Sequence, residues 1–253
     1  MILGPDAGHD LDAAGLARAY GWPDPGTPWV RAMMLTTLDG AFAGPDGHSR
    51  SISAPADRDV MAECRRLADA VLLGAGTLRS ERYSPMKVRD DAVAERRALG
   101  LADAPRLVVV TGSLDLPWDL PALAGESALR PLVVTGSKAS ADDVAKAREQ
   151  VDVEVVDGEH VGPAPLADVL RAHGLHRVVC EGGPTLLARL VGAGVVDEAD
   201  VTLSPLHVGG GQIDTGDPFD SPVPFGLAHV LEDAGFLFTR MLRRTDGSRH
   251  AGV

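Results

Sequence analysis

The chain has 253 residues, of which 45% are apolar and 24% charged, and a formal net charge of −12. Those values fit one large or two small globular domains with a substantial core, and exclude a general binder of nucleic acid or of anionic membranes. Cys64 and Cys180, the two cysteines, form no CxxC pair, so no structural metal site is expected and a reducing, cytoplasmic setting fits.

The opening stretch MILGPDAGHDLD has neither the basic start nor the apolar centre of a secretory leader. No apolar run reaches membrane-spanning length. Residues 1–28 read as an N-terminal arm in which Leu11, Leu16 and Tyr20 suggest a short helix. Trp29–Leu35 is a strand candidate, and Asp39-Gly40 gives a turn signal before a brief second strand at Ala41–Ala43. Asp39 is then either a turn-former or a carboxylate held at a cleft edge. Ser53 reads as an N-cap, with Pro55 in the first helical turn and Asp57 and Asp59 at the positive end of the dipole. Val60, Met61, Cys64, Leu67 and Ala68 form that helix's apolar face, which makes Cys64 a core thiol. Arg65 and Arg66 suit its C-terminal end.

Ala70–Leu73 is a second buried strand, followed by Gly74-Ala75-Gly76-Thr77. The stretch begins like G-x-G-x-x-G, but Arg79 stands at the third glycine and no acidic residue follows a second strand, so a standard dinucleotide fingerprint is rejected. A Gly-x-Gly-Thr turn still offers N–H and hydroxyl donors to a phosphate. Ser80–Val88 is irregular, and Arg89–Leu99 reads as a charged surface helix. Arg106–Val110 and Leu132–Val134 are strands running into Thr111-Gly112-Ser113 and Thr135-Gly136-Ser137-Lys138, with a long loop over 114–130 between them. Helices are expected at Ala139–Gln150 and Ala164–His173, with a strand at Val153–Val156.

Arg177–Ala188, RVVCEGGPTLLA, combines a buried strand, a carboxylate at the strand's end, a glycine turn and a proline-led helix start. Such a start either cradles a phosphate on its N–H groups or is a plain strand-to-helix connection. Asp200–Leu206 alternates like a strand and runs into Gly209–Gly211. A mobile excursion over 212–225 precedes two closing antiparallel strands, Gly226–Asp233 and Gly235–Leu242. Arg240, Arg243 and Arg244 read as a solvated basic end, and 245–253 as a flexible tail. The order of elements gives an α/β fold, a mixed and mostly parallel sheet flanked by helices, in a single domain over 29–244. Ligands bind such sheets at the carboxyl ends of the strands. Asp39, Thr77, Thr111, Ser137 and Glu181 all follow predicted strands.

Four ordered stretches, LTTLDG (Leu35–Gly40), Ser51–Tyr83, VVCEGGPTLL (Val178–Leu187) and LSPLHVGGG (Leu203–Gly211), resemble the C-terminal reductase domain of bacterial riboflavin-biosynthesis deaminase-reductases. The resemblance covers about residues 29–243. It implies a dihydrofolate reductase-like fold, a homodimer, NADPH as cofactor, and reduction of the ribosylamino group of a phosphorylated pyrimidinedione to ribitylamino. By the same resemblance, Glu181 faces the substrate and Gly182, Gly183, Pro184, Thr185 and Leu186 form the NADPH phosphate turn. Gly74, Gly76 and Thr77 are further cofactor contacts. Ser49, Arg65 and Glu81 stand at substrate positions, and Asp39 is the aspartate of the LDG motif. Thr111, Ser113, Ser137 and Lys138 are polar groups able to meet a 2′-phosphate.

The chain departs from the family pattern at three places. Thr37 replaces the serine before LDG, and Glu81-Arg82-Tyr83 replaces an Asp-Asp-Pro run. The family's downstream phosphate-binding arginine has no direct counterpart, with Lys87 and Arg89 as the candidates to replace it. The H-x-E and P-C-x-x-C signature of a zinc deaminase is missing, and no metal is expected. Asp39 and Glu181 are the ionisable candidates for proton steps, a hydrogen-bonding role to the pyrimidine ring being equally open for Glu181. The reading is an NADPH-dependent reductase of a small pyrimidine-type substrate. The alternatives are a reductase of a dihydrofolate-like or antibiotic-pathway heterocycle, and a non-catalytic NADPH-binding dimer.

Overall fold

The computed structural model describes residues 2–3, 10–24, 26–124, 129–209 and 219–244. Ten strands form one sheet: β1 (Ile2–Leu3), β2 (Trp29–Thr36), β3 (Ala70–Gly74), β4 (Arg106–Thr111), β5 (Leu132–Thr135), β6 (Asp152–Val155), β7 (Arg177–Cys180), β8 (Glu198–Leu203), β9 (Phe225–Asp233) and β10 (Phe236–Arg243). Their order is β1-β9-β10-β8-β2-β7-β3-β4-β5-β6. Neighbours from β8 through β6 run parallel. The contacts among β8, β10, β9 and β1 are antiparallel. This is the mixed, mostly parallel sheet that the order of elements predicts.

The central strands are apolar on consecutive residues because both their faces are covered. Leu72, Val178 and Cys180 pack on one side against Leu166 and Leu170 of α6 (Pro163–Ala172) and Leu190 of α7 (Pro184–Gly192). Val71, Leu73 and Val109 pack on the other, against Leu78 of α3 (Ala75–Glu81) and Val144 of α5 (Ala141–Ala147). Val179 meets Tyr20, Val60 and Cys64, carried by α1 (Ala13–Ala19) with its C-cap Tyr20 and by α2 (Pro55–Arg66). Both cysteines are buried, and burial pushes Cys180 up to about 12 and Cys64 well above its ordinary value, so both are core thiols. Pro55, Pro163 and Pro184 each open their helix, where a missing N–H costs nothing.

Several local expectations are corrected. Ala41–Ala43 forms no strand; Ala41 instead closes the turn, its amide donating to Thr37 Oγ1 at 2.9 Å. The N-cap of α2 is Ala54, while the Ser53 hydroxyl donates to Asp57 Oδ2 at 2.7 Å. Ala75-Gly76-Thr77 is the first turn of α3 and not a free loop. The helix expected over 89–99, α4 (Asp90–Ala98), buries Arg96, which donates to the carbonyls of Arg66, Ala68 and Ala102. The long loop after β4 packs Leu114, Leu116, Leu120 and Leu123 into the core, so chain without regular structure still covers the sheet. Gly210, Gly211, 212–218 and 245–253 lie outside the described residues.

Arg240 is not solvated. On the sheet face under α1 and α2, β2, β8 and β10 bring Arg31, Glu198, Asp200 and Arg240 together. Arg31 and Glu198 are wholly buried, with Arg31 Nε 2.7 Å from Glu198 Oε1, and Arg240 Nε donates to the same oxygen at 2.8 Å. The two guanidinium groups also donate to the carbonyls of Ala19, Tyr20 and Gly21 at 2.8–3.0 Å, which fastens the end of α1 to the sheet.

Candidate active site

β2, β7 and β3 end side by side, and the segments that follow them enclose one cleft of about 600 Å³. Its walls are Met33–Leu35 of β2, the inner face of α2, residues 77–87, and the connection from β7 to α7. Glu181, Arg65, Ser49, Glu81, Thr77, Gly183 and Pro184 all line it, so candidate positions for substrate and for cofactor fall in one place.

Glu181 directly follows β7, and its amide donates to Leu72 O at 2.9 Å, which fixes the exit of the strand against β3. Its carboxylate is not free. Arg65, one helix away, donates Nε to Oε1 and Nη2 to Oε2, each at 2.5 Å. The Tyr83 phenol donates to Oε2 at 2.8 Å. Such a forked pair is stronger than a single ionic contact and fixes the plane of the guanidinium. Burial, then the charge of Glu181, raise the Tyr83 phenol well above its ordinary value, so it stays a hydrogen-bond donor. Also lining the cleft, Glu81 Oε1 accepts the Ser49 amide at 3.0 Å.

The glycine turn after Glu181 is tied to β3 by Gly74 N donating to Gly182 O at 2.7 Å. A Cβ on Gly183 would stand 3.0 Å from Thr77 Oγ1, so glycine is what lets the threonine hydroxyl close on the turn. The first intrahelical acceptor of α7 is Gly183 O, taken by Leu187 N at 3.0 Å, which leaves the Thr185 and Leu186 amides pointing outward at the positive end of a nine-residue helix. Donors and dipole of this kind fit a cofactor phosphate.

Asp39 does not line the cleft. Its carboxylate accepts the Thr37 hydroxyl at 2.6 Å, Gly209 N at 2.7 Å and Val208 N at 3.2 Å. The Thr37 hydroxyl, then the Gly209 amide, hold it well below the usual carboxylate range. Thr111 ends β4 and Ser113 follows it, and neither lines the cleft; Ser113 lines a smaller cavity of about 310 Å³ against α5. Gly74, Gly76, Gly182, Thr185 and Leu186 do not themselves line the cleft; Gly76, Gly182 and Thr185 are chain neighbours of lining residues, and Gly74 ends β3. Lys138 pairs with Glu159 at 2.8 Å, both groups being at least half exposed, so the contact is weak and the ammonium free to exchange partners.

Sequence reasoning singled out Lys87 and Arg89 for an anion, and the structure separates them. Lys87 lines the cleft, while Arg89 pairs with Asp59 outside it. Arg50, Arg58 and Arg82 line the same cleft, and with Lys87 they have no side-chain partner among the described residues. Those arginines, and Tyr83, were not foreseen. The signal for Tyr83 was the E-R-Y departure from Asp-Asp-Pro. Arg82 stands in the same departure; for Arg50 and Arg58 there was none, because exposed arginines are common.

A profile of the RibD C-terminal domain matches residues 28–233. The 2,5-diamino-6-ribosylamino-4(3H)-pyrimidinone 5′-phosphate reductase of Methanothermobacter thermautotrophicus is 31% identical over 180 residues, 71% of this chain and 78% of that protein. The reductase of the same name from Archaeoglobus fulgidus is 27% identical over 180 residues, 71% and 81% of the two chains. Of the longer riboflavin biosynthesis protein RibD of Mycobacterium tuberculosis, the match spans 48%, about half. The crystal structure of a pyrimidine reductase-like protein from Corynebacterium diphtheriae superposes with a TM-score of 0.75 at 25% identity, over 87% of this chain and 93% of that one. With 28–233 matched as one continuous stretch, this chain belongs to the RibD C-terminal domain family.

Proposed function

We propose that the chain is a riboflavin-pathway pyrimidine reductase, using NADPH to reduce a phosphorylated ribosylamino-pyrimidine in the cytoplasm, as a homodimer. The observation that carries this reading is the meeting of two kinds of group in one cleft: the glycine-led start of α7 beside Glu181, and four cations without side-chain partners among the described residues. The relatives' names supply the substrate class, and the unpaired cations suit its phosphate.

NADPH, when bound, supplies the hydride. The chain's residues do the rest. The Thr185 and Leu186 amides and the Thr77 hydroxyl hold the cofactor's phosphate. Lys87, Arg82 and Arg50 take the substrate's phosphate. Arg65 and Glu181 orient the heterocycle, and Asp39, engaged by three donors, braces loops in place of moving a proton. A reductase acting on another heterocycle is the second reading, favoured by the engagement of both Glu181 oxygens by Arg65 and Tyr83.

The test is oxidation of NADPH in the presence of 2,5-diamino-6-ribosylamino-4(3H)-pyrimidinone 5′-phosphate, with its deaminated counterpart and dihydrofolate as comparison substrates. Turnover on either ribosylamino-pyrimidine supports the reading, and turnover on dihydrofolate alone transfers it to the second. A fluorescence titration should show NADPH bound at least tenfold more tightly than NADH; equal affinities would remove the cofactor assignment.

A further inference from the structure

We propose that Tyr83 is a positioning residue of this reductase site: it pins the Glu181–Arg65 pair so that the unused edge of the guanidinium faces the substrate. The role rests on the reductase reading above.

The argument begins with the backbone. α3 stops at Glu81, and Arg82 is left-handed, with φ at 47°. A non-glycine residue there is costly and is kept only where surrounding contacts fix it. On either side of the reversal in the chain, Glu81 and Tyr83 both line the cleft but take different partners. Glu81 accepts the Ser49 amide and Tyr83 reaches the end of β7. The Tyr83 ring packs against the core cluster of Leu73, Leu78 and Met86, so its phenol is delivered from a fixed base.

Glu181 Oε1 takes Arg65 Nε, while Oε2 takes both Arg65 Nη2 and the Tyr83 hydroxyl. A forked pair alone can still rotate as a unit about the carboxylate's terminal torsion, which is broad. The third donor comes from a different element and removes that freedom. What remains is Arg65 Nη1, which has no partner among the described residues, on a side chain 20% exposed at the cleft wall against 6% for Glu181. The group presented to substrate is thus a cationic donor, and the carboxylate works behind it. An acceptor on the substrate, a ring carbonyl or a phosphate, is what such a donor recognises.

Tyr83→Phe keeps the ring and deletes one O–H. Expected are a thermal midpoint and an NADPH affinity equal to wild type, a KM for the pyrimidine substrate raised about tenfold, and kcat changed less than KM. Arg65→Lys keeps the charge but cannot fork. In that background Tyr83→Phe should cost less than twofold, because no guanidinium plane is left to orient. Three results overturn the proposal: an unchanged KM in Tyr83→Phe, the same fold-loss in both backgrounds, or a joint fall of thermal midpoint and NADPH affinity, which marks a brace of the fold. Failure of the underlying reading looks different. Wild type then oxidises no NADPH with any ribosylamino-pyrimidine, and the positioning role falls with it.

Discussion

The carboxylate of Asp39 collects donors from two places far apart in the chain: the Thr37 hydroxyl beside it and the amides of Val208 and Gly209, 169 and 170 residues away. Leu38 N donates to Leu206 O at 2.9 Å, so the turn after β2 and the stretch after β8 are sewn together by side chain and backbone alike. Asp39→Asn would turn an N–H₂ toward amides that need an acceptor, leaving a donor unmatched. The variant is expected to lose thermal stability at neutral pH and to lose turnover through a displaced 206–209 stretch. The sign with pH follows from the lowered value. The stability this carboxylate supplies is present above its ordinary 3.8 and is lost as pH falls below it, so the gap between variant and wild type should close in acid. Thermal melts from pH 7 to pH 3 check this; a gap that stays constant defeats it. In sequence, Asp-Gly announced the turn correctly. It could not announce the amides, since backbone donors carry no residue signature and this contact spans two-thirds of the chain. Tyr83 was hidden for a related reason: whether a tyrosine after a helix reaches inward depends on the left-handed residue before it, and Arg82 gives no sign of that.

Between β2, β8 and β10 lies a layer of charge within the core. Glu198 and Asp200 stand two residues apart on β8, on the same face, yet their environments drive them in opposite directions. Burial opposes the charge of Glu198, but the guanidinium groups of Arg31 and Arg240 hold it below its ordinary value. Burial, then the neighbouring charge of Glu198, push Asp200 well above its ordinary value, although Arg31 Nε also lies 3.4 Å from Asp200 Oδ2, so Glu198 is the more strongly charged of the two. Glu198→Gln therefore removes the main counter-charge of buried Arg31 and should cost about 3–5 kcal/mol, whereas Asp200→Asn should cost less. Urea unfolding of the two variants at pH 7 compares them directly; equal losses would refute the assignment. This layer is where element-level reading of the sequence fell short. WVRAMML was legible as a strand from its apolar residues, and Arg240 lies within a strand that was also foreseen. Nothing in either run shows that the two arginines share one carboxylate, because pairing across strands depends on the sheet order and not on local pattern. The parallel strands, by contrast, were readable from their uninterrupted apolar runs, and α2 and α7 from their prolines.

The opposite face of the same antiparallel region sets the scale of the whole molecule. Val201, Leu203, Leu237 and Met241 are only partly covered there, and Leu227 is 55% exposed. An apolar surface of this extent, on a chain of net charge −12, suits a second copy of the same sheet. Light scattering at micromolar concentration should give twice the chain mass, and Leu227→Glu should shift it toward the single chain; a wild-type monomer at that concentration counts against the dimer. A different consequence follows from the place of β7. It lies between β2 and β3, yet it is reached in the chain only after β4, β5 and β6. Contacts of such sequence separation carry a loop-closure cost that local pairing does not, and they slow folding. During synthesis, β2 and α2 emerge early on one side of the gap and β3 and α3 on the other, linked by contacts such as Glu81 with the Ser49 amide but not yet by a strand paired between them. A nascent chain stopped before residue 177 therefore possesses both walls of the cleft but lacks the strand that joins them and the glutamate at its end.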